Sequence, residues 1–540
     1  MTEEKKASFV FPRLQLAYML QFAIWGSWAV ALGGYLNGKM TGPEIGYLFM
    51  AIPLGAIIAP MFIGPIADRF FAAQKVLGLL HLISGACLAG CGWVCLQAQQ
   101  ATAAGATVTV PFWPMMILLL ISGICFMPSI PLINTVVFKH IPDSASTPKV
   151  FIFGTVGWIL VNLIVAVFAG GAAQPYFFFI GGGCGIFLGL YSFTLPDTPP
   201  RGAVAGEKRD VFGLGALSMF KSGSFTLFVL CAFMVSIFGS NFFFPAIVPY
   251  LSEYGYPAPV ALTTLNQFSE LFFMAALAFC VARFGLKWVL VLGMSAWALR
   301  YIIFTQSGFQ WALAGLLLHG LAYAFLYTAA YMFADRVAPA NLKASVQSLL
   351  AFLLLGVGQV LSGFFFGFQF DNCPPELAKV PQSEKKIPEW VDPASETSGL
   401  RYLDLAKSVG FYFAPEEKKA DWWKIGDNLG KYETANKTLD MDKLFANGEE
   451  VTFGDVTYTR EEIQSVLTEV ASKTGKTADT VTRDDWLSVQ RHNWKQFFLW
   501  PAAFVIFWVV LFVLFGREPK AAVAEGEESG QGKEPEVASA

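Results

Sequence analysis

Charge is scarce in this chain. Only 14% of its 540 residues are Asp, Glu, Lys or Arg, and there are four histidines. A soluble globular surface carries about a quarter charged residues, so this composition excludes an ordinary soluble protein. Catalytic apparatus is missing as well. The sequence has no phosphate-cradling glycine loop with its lysine, no paired metal ligands, and no nucleophile with a base at usable spacing. Neither an enzyme nor a cofactor is expected, nucleic acid is not an expected partner, and without an ATP site any energy must come from an ion gradient or from the substrate's own. Cysteine is sparse: of eight, Cys87, Cys91, Cys95, Cys125, Cys184, Cys231 and Cys280 lie in apolar stretches and only Cys373 in a polar one. Cys87, Cys91 and Cys95 lack His or acidic co-ligands at metal-site spacing and the lone Cys373 has no partner for a bridge in its polar stretch, so the cysteines read as small buried hydrophobes.

Apolar length is what the chain has in abundance. Hydrophobic residues make up 55%, with 52 phenylalanines. Runs long enough to cross a bilayer fall at about 14–37, 44–66, 74–97, 112–138, 149–170, 175–195, 224–251, 259–282, 286–306, 309–334, 344–369 and 496–516. The expected class is an all-α polytopic membrane protein of twelve helices. Lys and Arg gather in alternate short connections, among them Arg69, Lys75, Lys139, Lys149, Arg283, Lys287, Arg336 and Lys343. This bias places both termini in the cytoplasm, and the expected location is the cell (inner) membrane.

The longest cytoplasmic connection splits the spans into two sixes. The expected organisation is an N-terminal half (1–195), a linker (196–222), helices 7–11 (223–369), an extracytoplasmic insertion (370–495), helix 12 (496–516) and a disordered cytoplasmic tail (517–540). Two six-helix halves around a midplane site are the arrangement of a carrier that alternates access. A polar stretch as long as 370–495 should fold, and it is expected as a small α+β unit. Its signals are a hairpin turning at Asn447-Gly448, a capping box of Thr459 and Glu462 ahead of Ile463, Val466, Leu467 and Val470, and a helix from Asp484 to Lys495 running into the last span.

Polar residues inside the spans mark the candidate site. Glu270 lies roughly halfway along 259–282, where a carboxylate needs a cavity, a partner or a proton. Thr263 and Gln267 share its helical face. In the first span Gln21, Trp25, Trp28 and Tyr35 share another, and interior indoles with a nearby amide suit a flat ligand with polar edges or plain packing. Asn134 follows Pro128 and Pro131 in the fourth span, where a loosened helix serves as a hinge or frees groups for a ligand. In the tenth span His319 precedes Tyr323 and Tyr327 at helical spacing and is either a proton carrier or a satisfied structural residue. Arg300, near the end of the ninth span, is expected to snorkel.

Several short pieces together resemble one family: LQFAIWGSW and LGGYL in the first span, MPSIPLINT in the fourth, FGTVGW in the fifth, NQFSELFF in the eighth, AWALRY in the ninth and KASVQ before the eleventh. They are similar to the nucleoside:proton symporter family of the major facilitator superfamily. The resemblance implies a twelve-helix (6+6) major facilitator fold, to which the insertion between helices 11 and 12 is foreign, and import of purine and pyrimidine nucleosides with protons through a central cavity. Position by position, it implies a substrate site of Thr155 and Trp158, Gln267 and Glu270, with His319 where the family has a tyrosine, Tyr323 at an aromatic position, and Asn241 in the seventh span. With Gln21, Trp25, Trp28 and Asn134 these make the full candidate set, and Glu270 with His319 is the expected proton-coupling pair. Two positions depart from the pattern: Phe151 stands where the family has an arginine, and Ala324 where it has an aspartate. A carrier for another sugar-bearing or aromatic metabolite, and a sensor that binds ligand without moving it, are the alternative readings.

Overall fold

The computed structural model describes residues 3–69, 71–103, 110–141, 146–200, 212–256, 258–388, 390, 429–453 and 456–518. The centre of the expected linker (201–211), the stretch 391–428 of the insertion and most of the expected tail (519–540) lie outside them.

Helices dominate because a span inside a bilayer must satisfy its own backbone; Pro128, Pro131, Pro245, Pro249 and Pro501 are carried inside helices, while a few spans are interrupted at other places. The first span is Glu3–Ala29, broken at Val30 and resumed as Ala31–Leu36. The second to sixth are Gly42–Arg69, Ala73–Ala103, Phe112–His140, Thr147–Phe168 and Tyr176–Ser192. The seventh is Gly223–Ile237 and Ser240–Glu253, separated at Phe238-Gly239. The eighth and ninth run through Thr264–Phe304 and turn at Gly285, whose φ of 81° suits a residue without a Cβ. The tenth and eleventh each contain a π-helical stretch, Ala324–Thr328 and Ala351–Val357, and the twelfth is Trp494–Phe515. Among the described residues ten stretches are long and apolar enough to cross a membrane. One of them, Pro259–Phe304, holds two spans joined at Gly285, and the sixth span is shorter at 17 residues, which together accounts for twelve.

The two halves approach most closely on the side that carries the insertion. A Cβ added to Gly46 would stand 2.2 Å from the Gly363 carbonyl oxygen, and one added to Gly33 would stand 2.3 Å from that of Pro245. Small residues allow membrane helices to touch backbone to backbone, which gains dispersion contacts where no hydrophobic effect operates between helices. Hydrogen bonds reinforce the seam. The Gly42 amide donates to Asp371 Oδ1 at 2.8 Å, and Asn37 Nδ2 donates to Glu253 Oε1 at 2.9 Å.

The insertion is built around its own small core, including Trp390, Leu429, Tyr458, Val466, Val470 and Trp486. Antiparallel strands β1 (Glu450–Phe453) and β2 (Val456–Thr459) pair Glu450 with Thr459 and Phe453 with Val456. The two residues between the paired strands, 454–455, lie outside the described residues. Asn447-Gly448 instead leads the chain from the helical turn Met441–Leu444 into β1, with Gly448 at φ 149°. Thr459 and Glu462 do form a capping box on the helix Arg460–Thr474. The helix expected from Asp484 to Lys495 is corrected to two. Arg483–Gln490 ends, residues 491–493 leave the helical path, and Trp494 starts the last span with Asn493 capping it. The break has a physical cause in Glu253, at the end of the seventh span. Its carboxylate accepts hydrogen bonds from the His492 amide (2.9 Å), His492 Nδ1 (2.7 Å) and Trp494 Nε1 (2.7 Å), in addition to that from Asn37.

Arg300 does not snorkel. It is fully buried, and its guanidinium lies 3.5 Å from the Phe243 ring centre, with Nε donating to the Gly315 carbonyl (2.8 Å) and Nη2 to Asn266 Oδ1 (3.1 Å). A guanidinium stacks on a ring and forks its donors, so it can be held inside the bundle where an exposed lysine would reach for water.

Candidate functional site

Between the halves lies a cavity of about 390 Å³. The first, second, fourth and fifth spans line one wall, and the seventh, eighth, tenth and eleventh line the other.

The N-terminal wall is mostly rings and apolar side chains. Trp158 follows Gly154 and Gly157 on the fifth span, and those glycines let the first span lie against it: a Cβ on Gly157 would meet the Met19 carbonyl at 2.1 Å. That contact sets Trp25 edge-on to Trp158, with ring centres 5.6 Å apart. Further along the same two helices, Tyr18 and Phe151 stack at 4.6 Å with planes 9° apart. Ile52, Pro53, Met127 and Ile130 fill the remainder, and Thr155 adds a hydroxyl.

The C-terminal wall carries Ser240, Asn241, Gln267, Glu270, His319, Tyr323 and Gln359, with Phe244 bridging to Trp158 at 5.9 Å. Gln267 and Glu270 reach it because the eighth span turns that helical face inward. Gln267 Oε1 is buried without a hydrogen-bond partner. Glu270 makes no ion pair or hydrogen bond among the described residues, and the cavity lining contains no Lys or Arg. His319 is buried, stacked on Tyr323 at 5.7 Å and on Phe243 at 6.0 Å, with Nδ1 unpaired. No hydrogen bond or ion pair joins it to Glu270 in this conformation.

The structure thus gathers Trp25, Thr155, Trp158, Asn241, Gln267, Glu270, His319 and Tyr323 around one space. It leaves Gln21, Trp28 and Asn134 outside the lining. Gln21 turns into the N-terminal half, where Nε2 donates to Ser129 Oγ and Oε1 meets His81 Nε2, both at 2.7 Å. Trp28 packs against Phe49 and Phe178. Asn134 lies farther along the fourth span, with its Oδ1 buried and unpaired. Of the residues facing Glu270's side of the bundle, Thr263 is buried and returns its hydroxyl to the Val260 carbonyl at 2.6 Å. Reading the sequence alone missed Tyr18, Phe22, Phe244, Ser240 and Gln359. Gln359 carried the same signal as Gln267, an amide in the interior of an apolar span.

The lining is chemically suited to a flat, partly apolar ligand whose polar groups are gathered along one edge. The N-terminal wall supplies ring faces and edges; the C-terminal wall supplies amides, hydroxyls and one carboxylate.

Comparison with known proteins agrees with this architecture. The family described as "Nucleoside H+ symporter" matches residues 10–374, ending where the insertion begins. The chain is 34% identical over 363 residues to the putative nucleoside transporter YegT of Escherichia coli K12, covering 65% of this chain and 82% of that protein. It is 29% identical over 385 residues to the xanthosine permease of the same organism, covering 66% and 87%. Among solved structures, a mutant form of the nucleoside transporter NupG superposes with a TM-score of 0.61 at 22% identity, over 77% of this chain and 100% of that one, a likeness of fold. This chain is a multi-pass membrane transporter of major facilitator fold, and it belongs to the nucleoside H+ symporter family.

Proposed function

We propose that the chain imports nucleosides together with protons by alternating access, from an inner membrane in which both termini face the cytoplasm. The reading divides the protein into two six-helix halves, with the insertion at the outer mouth, and it takes the cavity between the halves as the substrate site. In this conformation the halves are pressed together on the insertion side, which corresponds to a carrier closed to the outside.

The nucleobase lies among Trp25, Trp158 and Tyr323, and the ribose hydroxyls donate to the acceptors of Gln267, Glu270 and Asn241. Stacking of a base on an aromatic side chain contributes about 1–3 kcal/mol and tolerates different bases. Thr155 and His319 complete the rim. The same Glu270 carries the proton, with His319 beside the path.

The observation that carries this reading is Glu270 itself: a carboxylate inside a membrane protein, facing a cavity without a cation to neutralise it. Such a group is stabilised by taking a proton or by donors from a ligand, and coupling the two gives symport. The family description and the permease relatives support nucleosides as the cargo.

The experiment is uptake of labelled uridine and adenosine into proteoliposomes with and without an inward proton gradient. Gradient-stimulated uptake is expected. Uptake that ignores the gradient removes proton coupling, and no uptake of either nucleoside redirects the assignment to another metabolite.

A further inference from the structure

Gln359 lies where three irregular stretches of backbone meet. It follows the π-helical segment Ala351–Val357 of the eleventh span, faces the break at Phe238-Gly239 in the seventh, and touches the π-helical segment Ala324–Thr328 of the tenth. Each irregularity leaves backbone groups without their helical partners, which is costly inside a membrane unless side chains replace them. Gln359 supplies one such partner, to the Asn241 amide in the first turn of the resumed seventh span, and lies against the others. Its Oε1 accepts from the Asn241 amide at 2.9 Å, and its Nε2 contacts the Ser236 carbonyl (3.2 Å), Tyr327 Oη (3.2 Å) and the Leu354 carbonyl (3.3 Å). The packing there is tight, since a Cβ on Gly239 would stand 2.3 Å from Tyr327 Oη.

The consequence falls on Asn241. Its Nδ2 donates to the Phe49 carbonyl across the gap between the halves (3.0 Å) and to the Gln359 carbonyl (3.3 Å). With both amide hydrogens engaged, Oδ1 is the atom left for a ligand, and it is an acceptor only. We propose that Gln359 is a positioning residue that holds Asn241 with this acceptor turned to the cavity, making Asn241 a selector for a hydrogen-bond donor on the substrate. Resting on the nucleoside reading above, the donor is a ribose hydroxyl. A site built to accept from a hydroxyl discriminates against the analogue that lacks it, because the acceptor is then left dry and unpaired.

The test uses the full-length purified protein and equilibrium binding of labelled uridine, competed by 2′-deoxy-, 3′-deoxy- and 5′-deoxyuridine. Wild type should bind uridine more tightly than at least one of the three. Gln359→Met should lose about five- to tenfold in uridine affinity, the worth of one neutral hydrogen bond, while binding of that one analogue hardly changes. Asn241→Ala should do the same, and the double variant should be no worse than either single, as for two residues acting through one contact. If Gln359→Met does not yield folded protein, Tyr327→Phe removes one of its partners and should narrow the same discrimination by a smaller factor. Equal weakening of all four ligands, additive effects in the double variant, or a wild type that ignores all three deletions overturns the proposal. Failure of the nucleoside reading is separately visible, as wild type that binds no uridine.

Discussion

The two walls of the cavity are made of different materials. The N-terminal wall is Tyr18, Phe22, Trp25, Phe151 and Trp158 over apolar fill; the C-terminal wall holds six polar side chains and Glu270. The contrast teaches how a carrier can divide its labour. On the proposed reading, ring faces bind any planar base at little cost in reorganisation, while amides and a carboxylate on the opposite half count hydroxyls and hold a proton. In the proposed alternating-access cycle, rocking the halves changes how the two kinds of contact face each other without rebuilding either. The difference is sharpened at position 151, where the family resemblance implies an arginine and this chain has a ring stacked on Tyr18.

Putting the charge back should break the contrast most severely. Phe151→Arg replaces a stacked ring of the aromatic wall with a guanidinium, and a buried charge left without a partner costs about 3–5 kcal/mol. A fall in melting temperature and in folded yield is expected. Adding Ala324→Asp should recover part of it, and a double variant no better than the single would separate the two positions. Next in size is Trp158→Ala, which removes the ring that touches both Trp25 and Phe244. Loss of about 1–3 kcal/mol of stacking should raise KM for uridine and adenosine alike, and an effect on only one base would contradict a general stacking wall. On the polar side Gln267→Leu should weaken ribonucleoside binding by about 1 kcal/mol, measured as an affinity that falls while the preference among bases stays fixed.

The smallest expected effect lies far from the cavity, in the insertion. Burial pushes the Asp485 carboxyl up, but hydrogen bonds from Lys476 at 2.5 Å and from the Thr482 hydroxyl and amide outweigh it, leaving the group below its ordinary value. Its folded form is therefore favoured at pH above the unfolded value of about 4, and that contribution is lost as pH falls through the lower folded value. Acid titration should loosen the insertion in that window, while Asp485→Asn flattens the dependence by a fraction of a kcal/mol.

Much of this was legible from hydropathy alone. Spans announce themselves because each must satisfy its own backbone, and Glu270 and Gln267 stand out because polar atoms are expensive there. What hydropathy does not encode is which way a polar residue turns. Gln21 shares a helical face with Trp25, yet it finds Ser129 and His81 inside its own half. Arg300 looked like a residue near an interface, but Phe243, Gly315 and Asn266 make it an interior group. The π-helical stretches in the tenth and eleventh spans leave no periodic trace, so the place of Gln359 among them emerges only in three dimensions. In the insertion the capping box was readable because it is local, whereas the end of the helix Arg483–Gln490 depends on Glu253, more than two hundred residues earlier.

The most direct measurement on the central claim is made on Glu270→Gln in proteoliposomes, comparing exchange of labelled uridine across the bilayer with uphill accumulation driven by a proton gradient. Glutamine keeps an acceptor and the shape of the side chain but cannot release a proton. Exchange that persists while accumulation collapses is the predicted result. Accumulation that continues at the wild-type level would contradict the assignment of Glu270 as the group that ties nucleoside to proton.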